Sequence, residues 1–251
     1  MPRPLARLFV DHPLAPDGGL SLDGNQSHYL KDVLRLSTND QILLFNGQHG
    51  EWQADITAIN RKSVAVTINT QTRPQSAGNG PRLVFAPVKK SNTDFIIEKA
   101  TELGAGRLSP VMTAFTDTNR ANLSRFRANA IEAAEQCGRL DVPAIDPPVK
   151  LQVLMDEWPA DDPVVVADES GSGMPILDVM RTIAARPVRA PAFVIGPQGG
   201  FSESELVFLR GLSFVSCVDL GPRILRAETA AVAVLTCWQA ACGDWIPPAG
   251  G

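Results

Sequence analysis

Hydrophobic positions fall into two regimes along the chain. Up to residue 73 they form short, β-branched runs divided by polar turns, which predicts strands over 5–10, 41–45, 52–59 and 63–68. Asn46-Gly47 lies between the second and third runs as a hairpin turn signal, and a helix is predicted over 27–36. Short strands with one helix suggest a small β-barrel. Residues 74–81 are rich in Pro, Gly, Ser and Asn and carry no apolar period, so they read as a linker between domains 1–73 and 82–251.

From Arg82 onward strands alternate with helices. Strands are predicted over 83–88, 108–112, 164–167, 193–195 and 214–220. Helices are predicted over 92–103, 123–139, 176–185, 204–210 and 229–242, the first closed by Gly104 just past its end. The second domain is therefore of the α/β class, a mostly parallel sheet covered on both faces.

Composition changes this picture little. With 251 residues, 44% hydrophobic and 20% charged, the chain resembles an ordinary soluble globular protein. The formal net charge of −4 does not favour a polyanionic partner. Its distribution says more: residues 82–140 carry nine basic and six acidic side chains, whereas 141–251 carry seven and fourteen. The basic middle segment is either a solvated face or a phosphate-contacting one. Cys137, Cys217, Cys237 and Cys242 show no Cys-x-x-Cys spacing and lie far from the three histidines, so no metal site is expected. Cys137 reads as a packing thiol. No apolar leader or long apolar run is present, so no membrane partner is expected and the expected compartment is the cytoplasm.

Two glycine-bearing loops carry the candidate chemistry, each following a short apolar run. The first is Ile195-Gly196-Pro197-Gln198-Gly199-Gly200-Phe201-Ser202; Ser202 and Glu205 form a capping-box pattern whose helix start should offer amides to a polar or anionic ligand. The second is Leu220-Gly221-Pro222-Arg223-Ile224-Leu225-Arg226-Ala227-Glu228-Thr229-Ala230, which leads into a helix apolar on nearly every face. Neither loop has the spacing of a P-loop or of a dinucleotide fingerprint. Both should leave the carboxyl edge of the sheet, where ligands of open α/β sheets sit.

These two loops, with Phe95 to Gly104, Ala134 to Arg139, Arg7-Leu8-Phe9 and Val33-Leu34-Arg35, resemble the RsmE family of small-subunit rRNA uridine-N3 methyltransferases in the SPOUT superfamily. The resemblance implies a PUA-like RNA-binding domain followed by a SPOUT-type domain with a trefoil knot formed around residues 193–242. It also implies S-adenosyl-L-methionine as methyl donor, 16S rRNA of the small ribosomal subunit as partner, and a homodimer. No metal is implied. Motif by motif, the donor would be held by Ala167, Gly196, Pro197, Gln198, Gly199, Gly200, Leu220, Gly221, Ile224 and Leu225, with Asp168 nearby.

Arg226 would stabilise negative charge developing on the uracil ring, since a guanidinium stays protonated and cannot be the base. Glu228 would orient it or accept the proton, unless the two are simply an ion pair of the knot helix. Arg7 would help place the RNA, unless it is simply a charge on a surface strand. Arg3, Arg35, Lys89, Lys90, Arg120, Arg125 and Arg127 are the candidates for phosphate contact, with surface solubility as the other account. Glu169 could fold over the donor, with an exposed loop acid as the other account. One departure stands out: the family usually has Glu where this chain has Gln198, and an amide has no basicity. Two other functions stay open, the same fold acting on another acceptor such as a ribose 2′-hydroxyl, and a non-catalytic rRNA-binding assembly factor.

Overall fold

The computed structural model describes residues 6–76, 78, 80–116, 121–185 and 190–246. The chain divides into two compact units, Met1–Ala77 with Ala134–Val142, and Gly78–Ala133 with Pro143–Gly251.

The first unit is a five-stranded mixed sheet built from β1 (Ala6–Phe9), β2 (Gly19–Asp23), β3 (Gln41–Phe45), β4 (Glu51–Ile59) and β5 (Ser63–Arg73), in the order β1-β3-β4-β5-β2. β1 runs parallel to β3 and the other pairs are antiparallel. Alternate residues Leu8, Leu22, Ile42, Leu44, Ala54, Ile56, Val64, Val66 and Ile68 point into one core, as period-two patterning requires. β2 is absent from the sequence expectation because its apolar positions are only Leu20 and Leu22. The expected helix over 27–36 begins earlier, as α1 (Gly24–His28), and widens into a π-helical turn at Tyr29–Val33. Asn46-Gly47 opens a five-residue connection rather than a two-residue one: Asn46 Oδ1 accepts the amides of Gln48 (3.0 Å) and His49 (2.9 Å), an Asx turn that uses up the polar side chain.

Arg7 sits at the heart of this unit. Its guanidinium lies 4.0 Å from the centre of the Phe45 ring and donates to Glu51, to Ala134 O (2.8 Å) and to Arg139 O. Arg73 binds Glu51 from the other side (2.7 Å) and reaches Gly138 O (2.9 Å). Burial pushes the Glu51 carboxyl up, but hydrogen bonds from Arg73, Arg7 and Thr72 outweigh it and lower the pKa from 4.5 to about 2. The Phe9 amide donates to Glu135 Oε1 (2.9 Å), so the strand and the segment Ala134–Val142 are joined by charge-assisted bonds.

The second unit contains β6 (Arg82–Phe85), α2 (Lys90–Glu102), β7 (Arg107–Met112), α3 (Leu123–Cys137, its last turn counted with the first unit), β8 (Ala144–Ile145), β9 (Val149–Lys150), α4 (Leu151–Asp156), β10 (Val164–Ala167), β11 (Met174–Pro175), α5 (Ile176–Ala184), β12 (Ala192–Ile195), α6 (Glu203–Arg210), β13 (Val215–Asp219) and α7 (Ala227–Ala241). Its strands run in the order β11-β13-β10-β12-β6-β7-β8, with β9 also pairing β7, and every pairing is parallel. Val84, Val164, Val166, Ala192 and Val194 face one side with Leu151, Met155 and Leu209; on the other side Phe193 meets Trp238 of α7 edge-on at 6.4 Å. Both faces are covered, as the unbroken apolar runs predict.

α2 ends in a Schellman motif: Ala105 N donates to Ala100 O (2.9 Å) and Gly104 N to Thr101 O (3.1 Å). Gly104 takes φ +80°, which glycine adopts without the steric cost of a Cβ.

Candidate active site

β12 is inserted between β10 and β6, while β13 lies on the far side of β10. Val166 is level with Val194 on one flank and with Cys217 on the other, so three strand ends open at one height. The loops that leave them enclose a cleft of about 830 Å³, its open mouth included. That volume suits a nucleoside-sized ligand. Its inner wall is Ile195, Pro197, Ala227 and Ala230, all buried, and its mouth is formed by the segments after β10 and β13.

Of the residues expected to hold a ligand, Ala167, Gly196, Pro197, Gly200, Leu220, Gly221, Ile224 and Leu225 all line this cleft. Gln198 and Gly199 do not. Gly200 N donates to Pro197 O (3.0 Å), closing a turn that turns these two residues outward, and both are exposed. Gly199 instead lies beside Phe115, where a Cβ would be 3.3 Å from the Phe115 Cβ. The capping box at Ser202 and Glu205 is present, but Glu205 itself accepts the Ser202 amide (2.8 Å) and Ala114 N (2.9 Å). The start of α6 therefore satisfies the amides of Ser202 and Glu205 by itself, and its Ser204 and Glu205 line a different cleft, with Met112, Lys150 and Phe208.

In the segment after β10, Asp168 and Glu169, which the sequence places near the donor, line the cleft together with Ser170 and Gly171, which it does not single out. Asp168, whose side chain is fully buried, accepts Arg210 Nη2 (2.6 Å) and the Ser170 amide (2.9 Å). The same Arg210 nitrogen reaches Ser170 Oγ (2.9 Å) and Ser172 Oγ (3.2 Å), so α6 straps this loop along its length. Burial raises the Asp168 pKa, but the Arg210 guanidinium and the Ser170 amide more than offset it and hold the carboxyl below its ordinary value. Burial and the nearby Asp168 charge push the Cys217 thiol up, which leaves it a packing group. Glu169 lies over Gly200, where a Cβ would meet Glu169 Oε1 at 1.9 Å. The signal in the sequence was an acid pair running directly from a strand end into Ser-Gly-Ser-Gly.

Arg226 is the backbone N-cap of α7 and its side chain is exposed at the end of the cleft-lining loop. Glu228 turns from the cleft toward α2: its Oε1 accepts Asn92 Nδ2 (2.9 Å), and its Oε2 is buried without a hydrogen-bond partner. The pair expected between Arg226 and Glu228 is thus replaced by a contact to Asn92, which no local sequence pattern signalled. Arg7 corrects the expectation of an RNA contact, because it is largely buried and its donors are committed to Glu51 and main-chain carbonyls within the first unit.

Lys89, Lys90 and Arg127 are exposed on α2 and α3 or at their starts, and Arg35 is exposed with φ +56°. Arg125 is ion-paired with Asp94 (2.9 Å). Arg3 and Arg120 lie outside the described residues. Among the described residues no His, Cys, Asp and Glu cluster could hold a metal, the cysteines are free, and no helix is long and apolar enough to cross a membrane.

Comparison with known proteins places this geometry. The RNA methyltransferase domain family matches residues 81–239, and the RNA methyltransferase PUA domain family matches residues 22–69. Ribosomal RNA small subunit methyltransferase E of Rickettsia conorii is 29% identical over 231 residues, covering 91% of this chain and 93% of its own. The protein of the same name from Bacillus subtilis is 29% identical over 225 residues, covering 86% and 88%.

Among solved structures, a putative methyltransferase from Legionella pneumophila in complex with S-adenosylmethionine superposes with a TM-score of 0.82 at 27% identity, covering 94% of this chain and 98% of that one. Ribosomal RNA small subunit methyltransferase E from Neisseria gonorrhoeae, bound to S-adenosyl methionine, gives 0.82 at 26% identity, covering 94% and 97%. A PUA-like domain followed by an α/β methyltransferase domain, with both signature loops on one cleft, leads to one conclusion: the chain belongs to the RNA methyltransferase family, with the small-subunit methyltransferase E proteins among its relatives.

Proposed function

We propose that the protein is an S-adenosylmethionine-dependent methyltransferase that methylates N3 of a uridine in 16S rRNA of the small ribosomal subunit. The observation that carries this reading is the cleft at three level strand ends, lined by the two glycine loops whose residues resemble the family's signature. The cleft fits the donor chemically. Gly221, whose missing Cβ faces open space, allows main chain to approach a base edge and ribose, and Ile195, Ala227 and Ala230 give an apolar wall for a ring. When bound, the donor supplies an already activated methyl group.

The chain's own task is then to position the uracil and stabilise the charge that develops on it. Arg226, next to the cleft-lining Leu225, would take that role, holding its proton and acting by electrostatics. Glu228 anchors the first turn of α7 to α2 through Asn92, which keeps Arg226 at the cleft's edge, and its second oxygen remains open as an acceptor. Lys89, Lys90, Arg125 and Arg127 would meet phosphates, with Arg35 and the outlying Arg3 and Arg120 as further contacts.

The finer architecture belongs to the same proposal. Domains 1–73 and 82–251 flank the linker 74–81, the first a small β-barrel and the second knotted around residues 193–242. The chain pairs as a homodimer in the cytoplasm. The half-exposed Val232, Ala233 and Cys237 on the outer side of α7 support the dimer, since such an apolar face calls for cover.

The test is incubation with S-adenosylmethionine and unmodified small subunits, followed by digestion and mass spectrometry of the nucleosides. 3-Methyluridine is the expected product. Methyl groups only on ribose would move the acceptor, and no methylation where an active relative succeeds would refute the enzyme.

A further inference from the structure

Among the described residues, four charged ones line the donor cleft, Asp168, Glu169, Asp219 and Arg223, and the cation Arg223 is exposed on the segment after β13. Asp168 is bound by Arg210 and the Ser170 amide, and Asp219 accepts the Gly221 amide (2.8 Å). Glu169 is different. It lines the cleft, it is exposed at the mouth, and no ion pair among the described residues takes up its charge. Its two neighbours, Asp168 and Ser170, are both held by the one Arg210 nitrogen, so the backbone that carries Glu169 is fixed on either side. Its carboxylate folds toward Gly200, whose φ of +72° and missing Cβ leave that space free.

We propose, building on the donor assignment above, that Glu169 is the group that recognises the positive charge of the donor's sulfonium, with Arg210 as its positioning residue. The inner wall of the cleft is apolar and suits an uncharged ring, so the charged end of the ligand belongs at the mouth, where the uncommitted carboxylate sits. A carboxylate there favours the cationic donor over the spent product, which is the same molecule without the methyl group and without the sulfonium charge. At a partly solvated site such a preference is worth about fivefold in affinity.

Calorimetric titration of the full chain with S-adenosylmethionine and with S-adenosylhomocysteine tests this without any catalysis. Glu169→Gln should weaken the donor about fivefold and leave the product within about twofold, so that the ratio of the two affinities falls. Arg210→Ala, which never touches the ligand, should lower the same ratio, and Glu169→Asp should restore part of it. Added salt should reduce the ratio for the native protein and not for Glu169→Gln. Equal weakening of both ligands, or an unchanged ratio in both variants, overturns the proposal. Native protein that binds neither ligand refutes the donor assignment itself, a result distinct from native binding with an unaltered ratio.

Discussion

Replacing Glu51 by Gln tests how the first unit is held together. Glu51 is buried beneath Arg7 and Arg73, and those bonds lower its pKa from 4.5 to about 2. A depression of this size corresponds to about 3 kcal/mol of stability carried by the charged form. Because the folded value lies below the unfolded one, that contribution is fully present above about pH 4.5 and is lost as pH falls toward about 2. Glu51→Gln keeps the shape and removes the charge. The stability difference between native protein and variant should therefore be largest at neutral pH and shrink by about 2 kcal/mol between pH 7 and pH 3.

Taking the difference removes the titration of every other carboxylate. Urea unfolding across this range, with hydrogen exchange read on peptides from β4 and β5, makes the measurement local to the unit. A difference that stays constant from pH 7 to pH 3 would show that Glu51 does not carry a native-state charge and that the Arg7–Glu51–Arg73 network has been misread.

Arg226→Ala and Arg226→Lys should each slow single-turnover methyl transfer about a hundredfold while donor affinity stays unchanged; near-native rates in both would remove this residue from the chemistry. Gln198→Glu should alter the rate less than about threefold, since the turn at Pro197–Gly200 aims this side chain away from the cleft. A large gain would mean that the amide impairs the enzyme. Gly200→Ala should cost about 1–2 kcal/mol in stability, from a side chain forced to positive φ, and should also weaken donor binding by displacing Glu169; unaltered thermal unfolding would contradict the strained backbone. Reversing the charges of Lys89 and Lys90 together should flatten the salt dependence of rRNA binding by about 1–2 units of log–log slope, and an unchanged slope would exclude them from the phosphate contact.

The amino-acid sequence by itself determined the longer elements of this protein, whereas β2, β8, β9, α4 and β11 were not legible in it. Period-two runs specified strands, the 3.6-residue period specified helices, Gly104 ended α2 and the Ser202–Glu205 pair began α6, because each is a contest among neighbours a few residues apart. The two glycine loops were legible for the same reason, and eight of the ten expected ligand residues do line one cleft.

Tertiary structure decided which ends meet. Nothing in the run Ala192–Ile195 says that it enters the sheet between β10 and β6, yet that insertion brings three loops level and creates the cleft. It also decided the fate of single side chains. Arg7 looked like a surface cation, but carbonyls of Ala134 and Arg139 and the carboxylate of Glu51 arrive from distant parts of the chain and bury it. Asn92 meets Glu228, and Arg210 meets Asp168, across gaps in sequence that no periodicity spans. Backbone propensity acts over one turn of chain, whereas burial and ion pairing depend on which segments pack together, and only the folded sheet sets those neighbours.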